Sequence, residues 1–129
     1  MKILIIDNVD DMRRIMRLAL ERMGGMTVFE APGGMEGLAL ARQERPDAIL
    51  LDVMMPGMDG RAVLLALRND PTTAAIPVIF ITASVEPAEL RGLKALGCQG
   101  VIAKPFDPMT LASKVMTMLR KPAAAAAAP

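Results

Sequence analysis

Four apolar runs of strand length punctuate the chain at residues 2–6, 48–51, 78–81 and 101–103, and each is nearly continuous rather than alternating. A strand with one face in water alternates apolar and polar side chains, whereas a strand covered on both faces does not. The runs therefore require a sheet sandwiched between two layers, the arrangement typical of parallel sheets. A weaker run, Thr27–Ala31, fits a fifth strand nearer an edge.

Between the runs the apolar spacing becomes helical. Met12, Ile15, Met16, Ala19 and Met23 define a first helix, with Arg13, Arg14 and Arg17 on a solvated face. Asp10 stands where an N-cap belongs, Asp11 in the first turn near the positive end of the helix dipole, and Gly24-Gly25 where the helix stops. Met35, Leu38 and Ala39 mark a second helix. Val63, Leu64 and Leu67 mark a third, capped by Asp59, with Pro71 beyond its end. Leu90, Leu93 and Leu96 mark a fourth, ending at Gly97, and Leu111, Val115, Met118 and Leu119 a fifth, starting near Pro108. Strands and helices alternate throughout. Right-handed crossovers then predict an α/β fold, a doubly wound five-stranded parallel sheet flanked by five helices.

Composition narrows what such a fold can do. The 129 residues suit one domain, predicted over residues 1–121, with an Ala/Pro-rich tail at 122–129 expected to be disordered. Aromatic residues make up only 2%, so the core is aliphatic and base-stacking platforms are missing. A net charge of +1 points to neither nucleic acid nor a membrane surface as partner. The single Cys98, a passive small residue before the fifth strand, suits a reducing cytoplasm, and no export or membrane-spanning segment is read in the chain.

In doubly wound sheets ligands bind outside the carboxyl ends of the strands. Asp7 and Asn8 follow the first strand, Asp52 the third, Thr82 the fourth and Lys104 the fifth. Any one of these is an ordinary strand-end polar residue; together they converge on one sheet edge. The chemistry they support is phosphoryl transfer. A carboxylate can form an acyl phosphate, an oxygen-ligated Mg²⁺ offsets the repulsion between anions, and a lysine and a hydroxyl contact phosphoryl oxygens. The small Ala83 leaves room beside Thr82.

The segments Ile-Ile-Asp-Asn at 5–8, Leu-Leu-Asp-Val-Met-Met-Pro-Gly-Met-Asp-Gly at 50–60, Thr-Ala at 82–83 and Lys-Pro-Phe at 104–106 resemble the receiver domain of two-component response regulators, over about residues 2–120. The resemblance implies a flavodoxin-like fold with strand order 2-1-3-4-5. It also implies a phospho-accepting switch that takes its phosphoryl group on Asp52 from a histidine kinase or histidine phosphotransfer protein, then passes the signal to a downstream protein. On this reading Thr82 reports the phosphoryl group and Lys104 contacts it. Asp7, Asn8, Asp52 and the backbone carbonyl of Met54 hold Mg²⁺, and Lys104-Pro105 is a candidate cis bond. Met12 and Ile15, with Pro105 and Phe106, are implied partner contacts, and Met54 and Ser84 flank the approach to phosphorus. The chain would catalyse only its own phosphorylation and dephosphorylation.

Two residues depart from the family pattern. Asn8 stands where a second carboxylate is usual, leaving Asp7 and Asp52 as the charged ligands. Val101 stands where the family carries a switching aromatic ring, so signalling is expected to run through Thr82 and the loop before the fourth helix. Both departures support a rival, a degenerate receiver that binds a partner without phosphorylation. An aspartate-nucleophile phosphohydrolase fails, because Val9 rather than Asp lies two residues after Asp7. A nucleotide-binding protein fails for want of a Gly-rich loop after the first strand.

Overall fold

The computed structural model describes residues 1–122, and the tail from residue 123 onward lies outside the described residues. The elements alternate as β1 (Lys2–Ile6), α1 (Asp10–Gly24), β2 (Thr27–Ala31), α2 (Gly34–Glu44), β3 (Ala48–Asp52), α3 (Gly60–Arg68), β4 (Val78–Thr82), α4 (Pro87–Ala95), β5 (Gly100–Ala103) and α5 (Pro108–Arg120). All pairings are parallel and the order is β2-β1-β3-β4-β5, with the weak run Thr27–Ala31 at one edge.

The continuous apolar runs feed two cores. Leu4, Ile6, Ile49, Leu51, Val78 and Phe80 face α2, α3 and α4; Ile3, Ile5, Ala48, Leu50, Ile79 and Ile81 face α1 and α5. Every second side chain thus belongs to one layer, as the pleat requires. Each large aliphatic side chain removed from water contributes about 1.5–3 kcal/mol before chain entropy is counted.

The helices depart in detail from the predicted stripes. In α1 the buried residues are Met16, Ala19 and Leu20, while Ile15 and Met23 are exposed. In α2 the buried face is Gly34, Gly37, Leu38 and Ala41, and Met35 and Ala39 face solvent. The cause is close approach: a Cβ at Gly37 would sit 2.5 Å from Ile6 Cδ1, so the helix packs on its glycines. Asp59 caps α3 as expected, accepting from the Ala62 N–H at 3.0 Å. Asp10 does not cap α1; the N-cap position is Val9, and Asp10 lies in the first turn with its carboxylate on Arg13.

Candidate functional site

The strand period aims the site residues. Asp7 keeps the phase of Ile3 and Ile5, Asp52 that of Ala48 and Leu50, and Lys104 that of Ile102, all toward the α1/α5 layer. Their side chains meet: Lys104 Nζ lies 3.2 Å from Asp52 Oδ1 and 3.3 Å from Asp7 Oδ2. Thr82 keeps the phase of Val78 and Phe80 and lies toward α3 and α4. Asp52 and Thr82 do not follow their strands but end them, still in the ladder opposite Ile81 and Ala103.

Asp7 is fully buried and doubly held, since its Oδ1 accepts from the Val9 N–H at 2.8 Å. Asp52 is buried too. Burial pushes its carboxyl above the ordinary carboxylate range, and the Asp7 charge pushes the same way; Lys104 and the Met54 backbone N–H oppose them. The Thr82 hydroxyl oxygen accepts from the Ser84 N–H at 3.1 Å, which leaves its proton free to donate. The Lys104-Pro105 bond is cis, as anticipated.

The sequence reading missed Arg13. Assigned to a solvated face, its side chain is only 13% exposed. Its guanidinium donates to the Asp7 carbonyl at 2.6 Å, to Asp10 and, at 3.3 Å, to Glu30 on β2. Arg17 likewise reaches Glu30, at 2.9 Å. The available signal was Asp10 three residues before Arg13, the spacing at which helical side chains meet.

The oxygen donors fit a hard divalent cation: two converging carboxylates, whose pocket already attracts the Lys104 ammonium, with the Asn8 amide and the Met54 carbonyl alongside in sequence. Among the described residues no cluster of three or more His, Cys, Asp or Glu could hold a metal, so Asn8 leaves the pocket one carboxylate short. Asp10 is engaged by Arg13 instead. At the mouth, Met54 is 73% exposed and Ala83 is exposed. Val101 is half-buried against the core beneath α4.

Of the implied partner contacts, Met12 and Phe106 pack against the α1/α5 core, whereas Ile15 and Pro105 are exposed. Ile15 shares an apolar groove with Leu18, Met23 and Met109.

The family model for the response regulator receiver domain matches residues 3–116. The chain belongs to the response regulator receiver family. This receiver is 36% identical over 118 residues to Protein PilH of Pseudomonas aeruginosa, covering 92% of this chain and 97% of PilH. It is 37% identical over 120 residues to the transcriptional regulatory protein CseB of Streptomyces coelicolor, covering 92% of this chain but 49% of CseB. The receiver thus spans about half the length of that relative. Its structure superposes on the chemotaxis protein CheY4 of Vibrio cholerae with a TM-score of 0.84 at 32% identity, covering 91% and 97% of the two chains. A receiver is a phospho-accepting signalling switch, and the five-stranded 2-1-3-4-5 sheet is that of the CheY-like fold. Among the described residues no helix is long and apolar enough to cross a membrane.

Proposed function

We propose that Asp52 accepts the phosphoryl group, from a histidine kinase or histidine phosphotransfer protein, in a Mg²⁺-dependent reaction. The observation that carries the reading is the three-way contact of Asp52, Lys104 and Asp7 at the carboxyl edge of the sheet. An Asp52 carboxylate oxygen forms a bond to phosphorus as the donor's bond to phosphorus breaks. Lys104 is then placed to turn from the carboxylates to a phosphoryl oxygen, and the Thr82 hydroxyl to donate to another. Asp7, Asn8, Asp52 and the Met54 carbonyl would hold Mg²⁺, which neutralises charge on the phosphoryl oxygens when bound.

The chain acts on no substrate beyond its own phosphorylation and dephosphorylation. The exposed Met54 shields the phosphoryl group, because a thioether cannot orient a hydrolytic water as an amide can. Thr82 and the loop 83–86 pass the signal on, since the β-branched Val101 has no ring to swing. Ile15 contributes to the surface that meets the phosphodonor protein, and the signal passes to a downstream protein in the cytoplasm.

Asn8 and the Lys104 bridge across both carboxylates favour one second reading, a partner-binding module that works without phosphorylation. Intact-mass measurement after acetyl phosphate and Mg²⁺ separates the two. A gain of one phosphoryl group, about 80 Da, supports the switch; an unchanged mass supports the partner-binding module.

A further inference from the structure

A cavity of about 270 Å³ opens beside Asp52 on the α3/α4 side, lined by Val53, Met54, Arg61, Thr82, Ala83, Ser84 and Glu89. It is smaller than sites for drug-sized ligands yet has room for a group of a few heavy atoms. Arg61 stands out within it. Arg13, Arg17, Arg61 and Arg68 are the partly buried arginines among the described residues. Arg13 and Arg17 pair with carboxylates, and Arg68 donates to the Ala74 and Ile76 carbonyls. Among the described residues Arg61 has neither an ion pair nor a side-chain hydrogen bond, although a half-buried guanidinium is costly to leave uncompensated.

Its position is fixed by its neighbour. The Gly60 N–H donates to the Val53 carbonyl at 2.9 Å, and the Gly60 backbone lies directly on the Asp52 and Val53 main chain. Arg61 therefore starts one residue from the backbone that carries Asp52. Lys104, the other cation at the site, is already shared between Asp7 and Asp52.

We propose that Arg61 is a donor-specificity residue that favours acyl phosphates as phosphodonors by stabilising the carboxylate they release. The inference rests on Asp52 as phosphoacceptor. As the Asp52 oxygen bonds to phosphorus, the bridging P–O bond of the acyl phosphate breaks, and its electron pair leaves on the carboxylate; no proton is required. In-line displacement sends that carboxylate out on the side of phosphorus away from Asp52, toward the exposed mouth formed by Met54, Ala83 and Ser84. A donor with a P–N bond, such as phosphoramidate, releases neutral ammonia and gains far less from a nearby cation. Glu89 lines the same cavity and opposes Arg61, but it is exposed, so water screens its charge more than that of the half-buried arginine.

The test compares initial phosphorylation rates with acetyl phosphate and with phosphoramidate, at fixed Mg²⁺ and read by intact mass, for the wild type, Arg61→Ala, Arg61→Lys and Glu89→Gln. The acetyl phosphate to phosphoramidate ratio should fall about tenfold in Arg61→Ala, as for one charge-assisted contact at a partly wet site. It should recover most of that loss in Arg61→Lys and rise in Glu89→Gln. A general folding defect would slow both donors and leave the ratio unmoved. An unchanged ratio in Arg61→Ala, with the wild type phosphorylated by both donors, overturns the inference while leaving Asp52 as acceptor. Failure of both donors to phosphorylate the wild type overturns both.

Discussion

The Lys104 ammonium lies 3.2 Å from Asp52 Oδ1, joining residues 52 positions apart in sequence, with both side chains largely withdrawn from water. The same nitrogen is 3.3 Å from Asp7 Oδ2. Taking away one partner of a buried ionic cluster leaves the others uncompensated, which costs more than the intact cluster contributes. Lys104→Met should therefore lower stability by about 2–4 kcal/mol. Urea denaturation followed by circular dichroism measures this, and a loss under about 0.5 kcal/mol, the level of an exposed pair, would contradict the buried contact.

Asp52→Asn should change stability in the opposite direction. Burial and the Asp7 charge hold the Asp52 carboxyl above its ordinary value. The folded chain then binds this proton more tightly than the unfolded chain. Stability falls as pH rises from the unfolded carboxyl value, about 3.9, through the folded one, and is level above it. Above that window the full cost is present, so there the asparagine variant should melt at a higher temperature than wild type. Its advantage should shrink as the solution is acidified through that window. A variant less stable than wild type throughout the range above that window would rule out the raised carboxyl as a net cost to the fold.

Two glycines should respond oppositely to alanine. A Cβ on Gly60 would collide with the Asp52 carbonyl oxygen and come within 2.9 Å of Val53 Cα, both backbone atoms that cannot step aside. Gly60→Ala should cost about 2 kcal/mol or more and disturb Asp52. At Gly92, inside α4, a Cβ meets nothing within 4 Å. Gly92→Ala should gain about 0.5–1 kcal/mol through helix propensity. Melting temperatures of the two variants check the contrast, and equal shifts would contradict the packing.

Mg²⁺ should bind Asn8→Asp about tenfold more tightly than wild type. A carboxylate added to Asp7 and Asp52 raises the ligand charge from −2 to −3, and part of the Coulomb gain is lost to desolvation. Asp10 does not fill the gap, because Arg13 holds it. Calorimetric titration of wild type and Asn8→Asp reads the difference directly. Equal affinities would remove residue 8 from the metal pocket.

Much of this was legible in the chain because it rests on short-range rules. Continuous apolar runs identified the parallel strands, and the polar residue ending each run marked the site edge. Asp7, Asp52, Thr82 and Lys104 all emerged from that pattern. Pairings set by three-dimensional proximity were not legible. Arg13 reads as surface because its partners Asp7, just past β1, and Glu30, in β2, are distant from each other in sequence, and its role appears only once β1 and β2 are adjacent. Met35 reads as core because hydrophobicity alone cannot show that α2 approaches Ile6 on its glycine face. The uncommitted state of Arg61 likewise needs the fold, since it depends on which side chains fail to reach it.

The identity of the acceptor is tested most directly by locating the acyl phosphate within the chain. After acetyl phosphate and Mg²⁺, borohydride reduction converts a phosphorylated aspartate to homoserine, and peptide mass mapping finds its position. Homoserine at position 52, absent from unphosphorylated protein, is the expected result. Homoserine at Asp7 or any other aspartate, with Asp52 intact, would contradict the assignment.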